Sequence, residues 1–208
     1  SDCVVFLDSV QFEKRGWQQR NRLKGSDRIL WLTVPVKTKG RRDQKIMDVE
    51  IDQNQSYTDK HLSTITHYYR KAPFFDDYIA GITRILAESH RQLADLNLEL
   101  IGWLCECFGI KKKMVRSSLL GKDTRRTELL VEICKATDAD VYLSTPGSRE
   151  YIEGDGLFGS SGVEVVYHRY EPSSYRQLHG EFMPYLSALD LLLNEGPASL
   201  EIIRAGRR

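Results

Sequence analysis

The residues best equipped for chemistry lie near the start of the chain, in Gln11-Phe12-Glu13-Lys14-Arg15-Gly16-Trp17-Gln18-Gln19-Arg20-Asn21-Arg22. Lys14, Arg15, Arg20 and Arg22 are cations that pair with phosphate or carboxylate, arginine through a two-pronged fork. Gln11, Gln18, Gln19 and Asn21 donate and accept hydrogen bonds, while Phe12 and Trp17 offer flat faces for stacking. From Gln11 to Lys45 eleven Lys/Arg stand against three Asp/Glu, a balance of +8 in a chain whose total is +1. Burying even one unpaired cation is costly, so this arm faces either solvent or something anionic. The mixture suits a nucleotide or nucleotide-sugar better than a bare polyanion.

A second group sits in Gln177-Leu178-His179-Gly180-Glu181-Phe182-Met183-Pro184-Tyr185. In an extended chain His179 and Glu181 project to one side, with β-carbons roughly 7 Å apart. An imidazole beside a carboxylate is a general base for an amine or hydroxyl. The alternative is a loop histidine bonded to backbone.

Two loops add anion-binding character. Ser144-Thr145-Pro146-Gly147-Ser148-Arg149 has small residues at Ser144, Gly147 and Ser148 that let backbone N–H groups approach a ligand, and Arg149 can pair with phosphate. A plain strand-to-helix turn with Ser148 as helix cap is the competing expectation. Ser117 and Ser118, followed by Arg125 and Arg126 at a helix start, form a phosphate-friendly set. With no glycine-rich phosphate loop, surface charge is the expectation there. His61, His67, His90 and His168 have no such company and are assigned no role. Neither HExxH nor paired CxxC spacing occurs, so no metal site is expected, and there is no GxSxG elbow. Cys3, Cys105, Cys107 and Cys134 read as reduced thiols of a cytoplasmic protein.

The elements that must position these groups alternate. Apolar runs predict strands at 4–7, 30–36, 113–118, 140–144 and 163–167, and the alternation at 47–52 predicts a half-exposed strand. Helical periodicity predicts helices at 59–70, 73–89, 93–108, 123–137, 186–193 and 198–204. Leu93, Leu96, Leu100, Trp103, Leu104, Cys107 and Phe108 make one stripe, read as core, with Gly109 as a left-handed cap. The pattern points to one α/β domain over 1–208, with a mostly parallel, Rossmann-like three-layer sheet and a helical middle segment over about 57–108. In such sheets ligands bind beyond the carboxyl ends of the strands. No apolar run is long enough to span a membrane, no signal peptide opens the chain, and the tail Gly206-Arg207-Arg208 is expected to fray.

Phe6-Leu7-Asp8-Ser9-Val10-Gln11-Phe12 with Lys14-Arg15-Gly16-Trp17-Gln18 and Arg20-Asn21-Arg22 resembles the WbqC-like protein family of bacteria. So do Trp31-Leu32-Thr33-Val34-Pro35-Val36, Arg126-Thr127-Glu128-Leu129-Leu130, Tyr142-Leu143-Ser144, Leu178-His179-Gly180-Glu181-Phe182 and Asp190-Leu191-Leu192 before Asn194-Glu195-Gly196-Pro197. The family pattern has a further strand and a His-Gln-Pro-x-Tyr-x-Pro-type motif, expected to precede Ser1, and an aspartate where Ser9 stands. The resemblance implies surface-polysaccharide (O-antigen) biosynthesis, and a transferase adding an acyl or glycyl group to a nucleotide-linked amino sugar. Arg15, Arg20 and Arg22 would then hold the diphosphate, His179 with Glu181 would take the ammonium proton, and Asn21 with the backbone near Gly147 would face the oxyanion. Cofactor and oligomeric state stay open; the donor is a small molecule or an aminoacyl-tRNA. Three other readings stand beside this one: an ATP-dependent nucleotidyl-transferring or adenylating enzyme, a non-catalytic carbohydrate- or partner-binding module, and a nucleic-acid-binding arm.

Overall fold

The computed structural model describes residues 1–207 and is a mixed α/β structure. Its strands are β1 (Cys3–Phe6), β2 (Arg20–Lys24), β3 (Ile29–Thr33), β4 (Lys113–Arg116), β5 (Val141–Ser144) and β6 (Glu164–Tyr167). Its α-helices are α1 (Thr58–Tyr69), α2 (Phe75–Ala87), α3 (Leu93–Cys107), α4 (Arg126–Ala136), α5 (Arg149–Gly154), α6 (Leu157–Ser161), α7 (Ala188–Glu195) and α8 (Ser199–Ala205). Hydrogen bonding draws three separate two-stranded ladders, β1 with β4 and β5 with β6 parallel, β2 with β3 antiparallel. Among the described residues no helix is long and apolar enough to cross a membrane.

The chain divides into two compact units. The first is built from Ser1–Val10, Lys112–Glu171 and the stretch from Gly206; the second from Gln11–Lys111 and Pro172–Ala205.

In the first unit a core of Leu130, Val131, Cys134, Ile152, Phe158 and Val163 lies beneath β5 and β6, where Tyr142 stacks on Phe158 with centroids 5.2 Å apart. β1 and β4 are joined beyond their carboxyl ends by the buried Asp8. Its carboxylate accepts from Arg116 Nε (2.6 Å), Ser117 Oγ (3.1 Å), Ser118 N (2.9 Å) and Ser118 Oγ (2.8 Å), so its lone pairs are used. Burial pushes this carboxyl up, but the Arg116 and Ser118 hydrogen bonds outweigh it and hold the group below its ordinary 3.8. The expected frayed tail is corrected at Gly206 and Arg207. Arg207 bridges Tyr170, and Glu171 N donates to Gly206 O at 2.9 Å. Arg208 lies outside the described residues.

The second unit has two adjoining cores. Val49, Ile51, Ile85, Leu93 and Leu96 centre one; Leu23, Ile65, Tyr69, Ile82 and Leu193 the other. The stripe on α3 is core as expected. Gly109 ends that helix at φ 68, with Ile110 N bonded to Cys105 O and Gly109 N to Glu106 O, the two bonds of a Schellman cap. Residues 47–52 form no continuous strand. Val49 and Ile51 do point inward, but Ile46–Asp48 is a 3-10 turn, and only single bridges follow, Glu50 to Gln92 and Ile51 to Val36. α7 begins at Ser187, whose hydroxyl accepts from Leu189 N, and stops at Gly196 (φ 50), where a β-carbon would lie 2.5 Å from the Phe74 ring.

Hydrogen bonds unite this unit around Lys24, which is only 3% exposed. Its backbone N–H donates to Tyr69 Oη (2.9 Å), and Tyr69 donates to Asp190 Oδ2 (2.6 Å) while Tyr175 donates to Asp190 Oδ1 (2.7 Å). Burial pushes the Asp190 carboxyl up against these stabilising bonds.

Two stability predictions follow from these networks. Tyr69→Phe strands the Asp190 oxygen and the Lys24 amide and should cost on the order of 2–4 kcal/mol. Thermal unfolding should register this as a drop of about 5–15 °C for a chain of this size. Asp8→Asn should destabilise by about 1–3 kcal/mol at neutral pH. Because the folded carboxyl titrates below its ordinary 3.8, the ionised form contributes its full stability above that value and loses it as pH falls through the folded pKa. Denaturant titrations of protein and variant should therefore converge only below about pH 4.

Candidate functional site

The basic arm resolves into a short looped segment followed by the β2–β3 hairpin, in which β3 overlaps the strand expected at 30–36 and β2 is absent from the expectations. Register pairs Arg22 with Trp31 and Arg20 with Thr33, so the arginines and Trp31 share a hairpin face. Trp17 joins them, its ring centroid 5.4 Å from that of Trp31 and tilted 39° to it. Arg20 Cζ lies 4.3 Å from the Trp31 centroid, and Arg22 Cζ 5.0 Å from that of Trp17. Trp17 is 62% and Trp31 45% exposed, a large aromatic surface left to solvent. Cation–π contact holds each guanidinium over a ring, and the Nε of Arg22 is sealed from solvent. Arg22 spends one N–H on Tyr185 O. Among the described residues the Arg20 guanidinium has no hydrogen-bond acceptor and is the free fork of this surface.

The arm's amides behave differently from the expectation that they serve a ligand. Gln18 Oε1 accepts from Glu13 N and Gln19 Oε1 from Arg15 N, so both brace the arm's own backbone, which at Arg15 takes φ 63. Gln11 Nε2 donates to Asp43, and Asn21 Oδ1 accepts from Arg22 N. Phe12, expected to stack on a ligand, is a buried core residue. Lys14 and Arg15 are exposed.

His179 belongs to the same compact unit as this surface. Lys24 Nζ donates to Gln177 Oε1 (3.1 Å), to Gly180 O (3.3 Å) and to Glu181 O, and Ser187 N donates to Arg22 O (2.9 Å). Thus Arg20, Arg22 and Lys24, on the same side of β2's alternation, run from the cationic platform to the 177–187 segment, which Arg22 and Lys24 both hold. This segment is not extended. His179 and Gly180 both have positive φ, 63 and 86, so the alternation that would align His179 with Glu181 is broken. His179 Nε2 lies 2.8 Å from Tyr68 O. A carbonyl only accepts, so Nε2 carries the hydrogen and a neutral ring keeps Nδ1 bare as a proton acceptor. Glu181 is exposed.

Ser144, Gly147, Ser148 and Arg149 lie in the other unit. Ser148 Oγ donates to Thr145 O (2.7 Å) and contacts Ser144 Oγ (2.6 Å) and does not cap α5, which corrects the cap expectation. Arg149 lies over the Tyr167 ring at 4.3 Å and reaches Glu153 at 3.9 Å, so its charge is partly spent. Gly147 is exposed with open space around it.

Three features escaped the sequence. Asp8 clamps Ser117 and Ser118, and the available signal was a polar residue just beyond each of two apolar strands. Lys24 is a buried cation inside a charged run, which hides it. His90 does have a carboxylate partner: its Nε2 is 2.7 Å from Glu99 Oε2. Glu88, His90 and Glu99 bring ligand-type atoms within 4.8 Å of one another, but Arg84 already pairs with both carboxylates, at 2.6 and 3.0 Å. The group is an ion-pair network between α2 and α3. The four cysteines are free thiols, and burial pushes Cys105, Cys107 and Cys134 up, away from the reactive thiolate.

Comparison with known proteins agrees with these motifs. "Uncharacterized protein Rv1507c" of Mycobacterium tuberculosis is 32% identical over 209 residues, spanning 100% of this chain and 90% of that protein. No solved structure matches. The WbqC-like protein family matches residues 1–202, from β1 through the Asp190 motif into α8. The chain belongs to the WbqC-like protein family.

Proposed function

We propose that this protein is a transferase of surface-polysaccharide (O-antigen) assembly that adds an acyl or glycyl group to a nucleotide-linked amino sugar in the cytoplasm. The observation that carries this reading is the free Arg20 fork held over Trp31 beside Trp17. A diphosphate pairs with such a fork, and a base or sugar ring stacks on the exposed indoles. Arg15, Lys14, Arg22 and Asn21 border the platform in sequence and supply further donors, and Gln11 lies at the start of the arm. In the transfer step the sugar amine attacks the donor's acyl carbon. The C–N bond forms, the bond to the donor's leaving group breaks, and one proton passes from the nitrogen to His179 Nδ1. Glu181 is the exposed carboxylate closest in sequence to offset the imidazolium so formed. The donor is a small acyl compound or an aminoacyl-tRNA; Ser144, Gly147, Ser148 and Arg149 form a separate anion-binding loop of the first unit, with Arg149 as the phosphate partner.

A second reading is favoured by one specific observation, the bond from His179 to Tyr68 O, which is also what a structural histidine in a binding module would make.

Two experiments test these readings. Tryptophan fluorescence should report binding of dTDP- or UDP-linked amino sugars, and Arg20→Ala and Trp31→Ala should each weaken it at least about tenfold, on the order of 1.4 kcal/mol. Unchanged affinity in both would remove the platform from the site. His179→Gln keeps a donor for Tyr68 O but removes the base. Loss of turnover by roughly 100-fold or more at unchanged sugar affinity is expected for the transferase. Full turnover, or binding with no turnover in either protein, would favour the module, and a response confined to ATP with magnesium would favour adenylation.

A further inference from the structure

Tyr185, in the second unit, combines a free side chain with a fixed backbone. It is 59% exposed, and among the described residues its ring meets no aromatic partner and its hydroxyl no hydrogen-bond partner. A tyrosine kept for packing buries its ring. The backbone is held from β2: Arg22 Nη2 donates to Tyr185 O, and Ser187 N donates to Arg22 O at 2.9 Å. The first of these bonds puts the Tyr185 Cα within about 5 Å of Nη2, on a guanidinium that itself lies over Trp17.

Tyr185 also takes φ 60, a left-handed conformation that bulky side chains rarely adopt. Among the described residues of the second unit, the other non-glycine residues with positive φ are Arg15 in the arm and His179. Such backbone persists only where surrounding bonds over-determine it, and it gathers at ligand clamps.

The anchors along β2 have an order. Arg20 and Arg22 lie over Trp31 and Trp17, Arg22 also holds Tyr185, and Lys24 holds Gly180 and Glu181 next to His179. At strand rise, Arg20 to Lys24 spans about 13 Å. Gln177 closes the loop on Met183, accepting from its N at 2.8 Å and donating to its O at 3.0 Å. His179 and Tyr185 each stand two residues from that closure. A nucleotide-linked amino sugar is built in a matching order: flat base, diphosphate, then a sugar ring that carries the amine. The C–H face of a sugar packs on a flat aromatic ring such as the exposed phenol.

We propose that Tyr185 is the sugar-binding residue of this site, its ring packing on the amino sugar between the Trp17–Trp31 platform and His179. The proposal rests on the transferase reading above. It gives the substrate a direction along β2 and names the residue that separates a nucleotide-sugar from a bare nucleotide.

Calorimetric titration of the full chain with UDP and UDP-glucosamine, and with dTDP and a dTDP-linked amino sugar in parallel, tests it. In the series that binds, the sugar should raise affinity over the bare nucleotide by about tenfold or more. Tyr185→Gly removes the ring and suits the positive φ, so the variant should fold as stably as the unaltered protein. It should lose most of the sugar gain while holding bare-nucleotide affinity within about twofold. Tyr185→Asn, which also tolerates the left-handed region, is a second ring-less variant with the same expectation. Tyr185→Phe keeps the ring and should keep the gain. No sugar gain in the unaltered protein, a full gain in both ring-less variants, an equal loss for both ligands, or loss of the gain in Tyr185→Phe would overturn the proposal and leave the platform in place. Binding of none of the four ligands by the unaltered protein would remove the platform itself, and this proposal with it.

Discussion

The second unit is organised by a single buried cation. Lys24 lies on a hairpin strand whose Arg20 and Arg22 are half-buried, and its own ammonium is enclosed. An enclosed ammonium is tolerated only when each of its three N–H bonds finds an acceptor, and here Gln177 Oε1, Gly180 O and Glu181 O supply one each. The residue thereby ties a strand near the start of the unit to a loop near its end. Its backbone continues the link through Tyr69 to Asp190 on α7. Gln177 reciprocates by accepting from Met183 N and donating to Met183 O, which closes the loop on itself. Asn194 completes the set, donating to Asp190 O and accepting from Leu178 N.

That arrangement explains why the candidate site has the shape it does. The positive φ of His179 and Gly180 follows from a loop that must turn two consecutive carbonyls, those of Gly180 and Glu181, onto one ammonium. His179 is then carried toward Tyr68 at the end of α1, where its ring contacts Tyr68 edge-on. Further along the same strand, the indoles hold the guanidiniums in place before any ligand arrives. A guanidinium already fixed over a ring loses less conformational freedom on pairing with phosphate than a free side chain does.

Elements with a clear period were legible in the sequence. The stripe on α3 and the apolar runs of β1, β5 and β6 sit within a few residues of their expected places. β2 was not legible, because Arg20, Arg22 and Lys24 read as one charged surface, although the last of them faces inward. The two-residue spacing of His179 and Glu181 presupposed an extended chain, and only the distant Lys24 decides otherwise. The function of Asp8 was likewise invisible locally, since its partners lie 108 to 110 residues away. The residues whose side chains pair across the chain are the ones a linear period cannot reveal.

The first unit is assembled from three separated stretches of chain. β1 can form its ladder only with β4, and 108 residues separate Ser9 from its partner Ser117. On the ribosome, β1 must wait until that whole length has been made, roughly 5–20 s at ordinary synthesis rates. During that interval Val4, Val5 and Phe6 are an unpaired apolar strand, and the second unit is complete only once residues up to Ala205 have emerged. Neither unit is thus finished before synthesis of the other is nearly over. A contiguous fragment of the first unit would lack β1 or its partner β4, one of the second would lack part of its core, and an apolar strand left unpaired through a late, long-range closure is a template for strand-to-strand association.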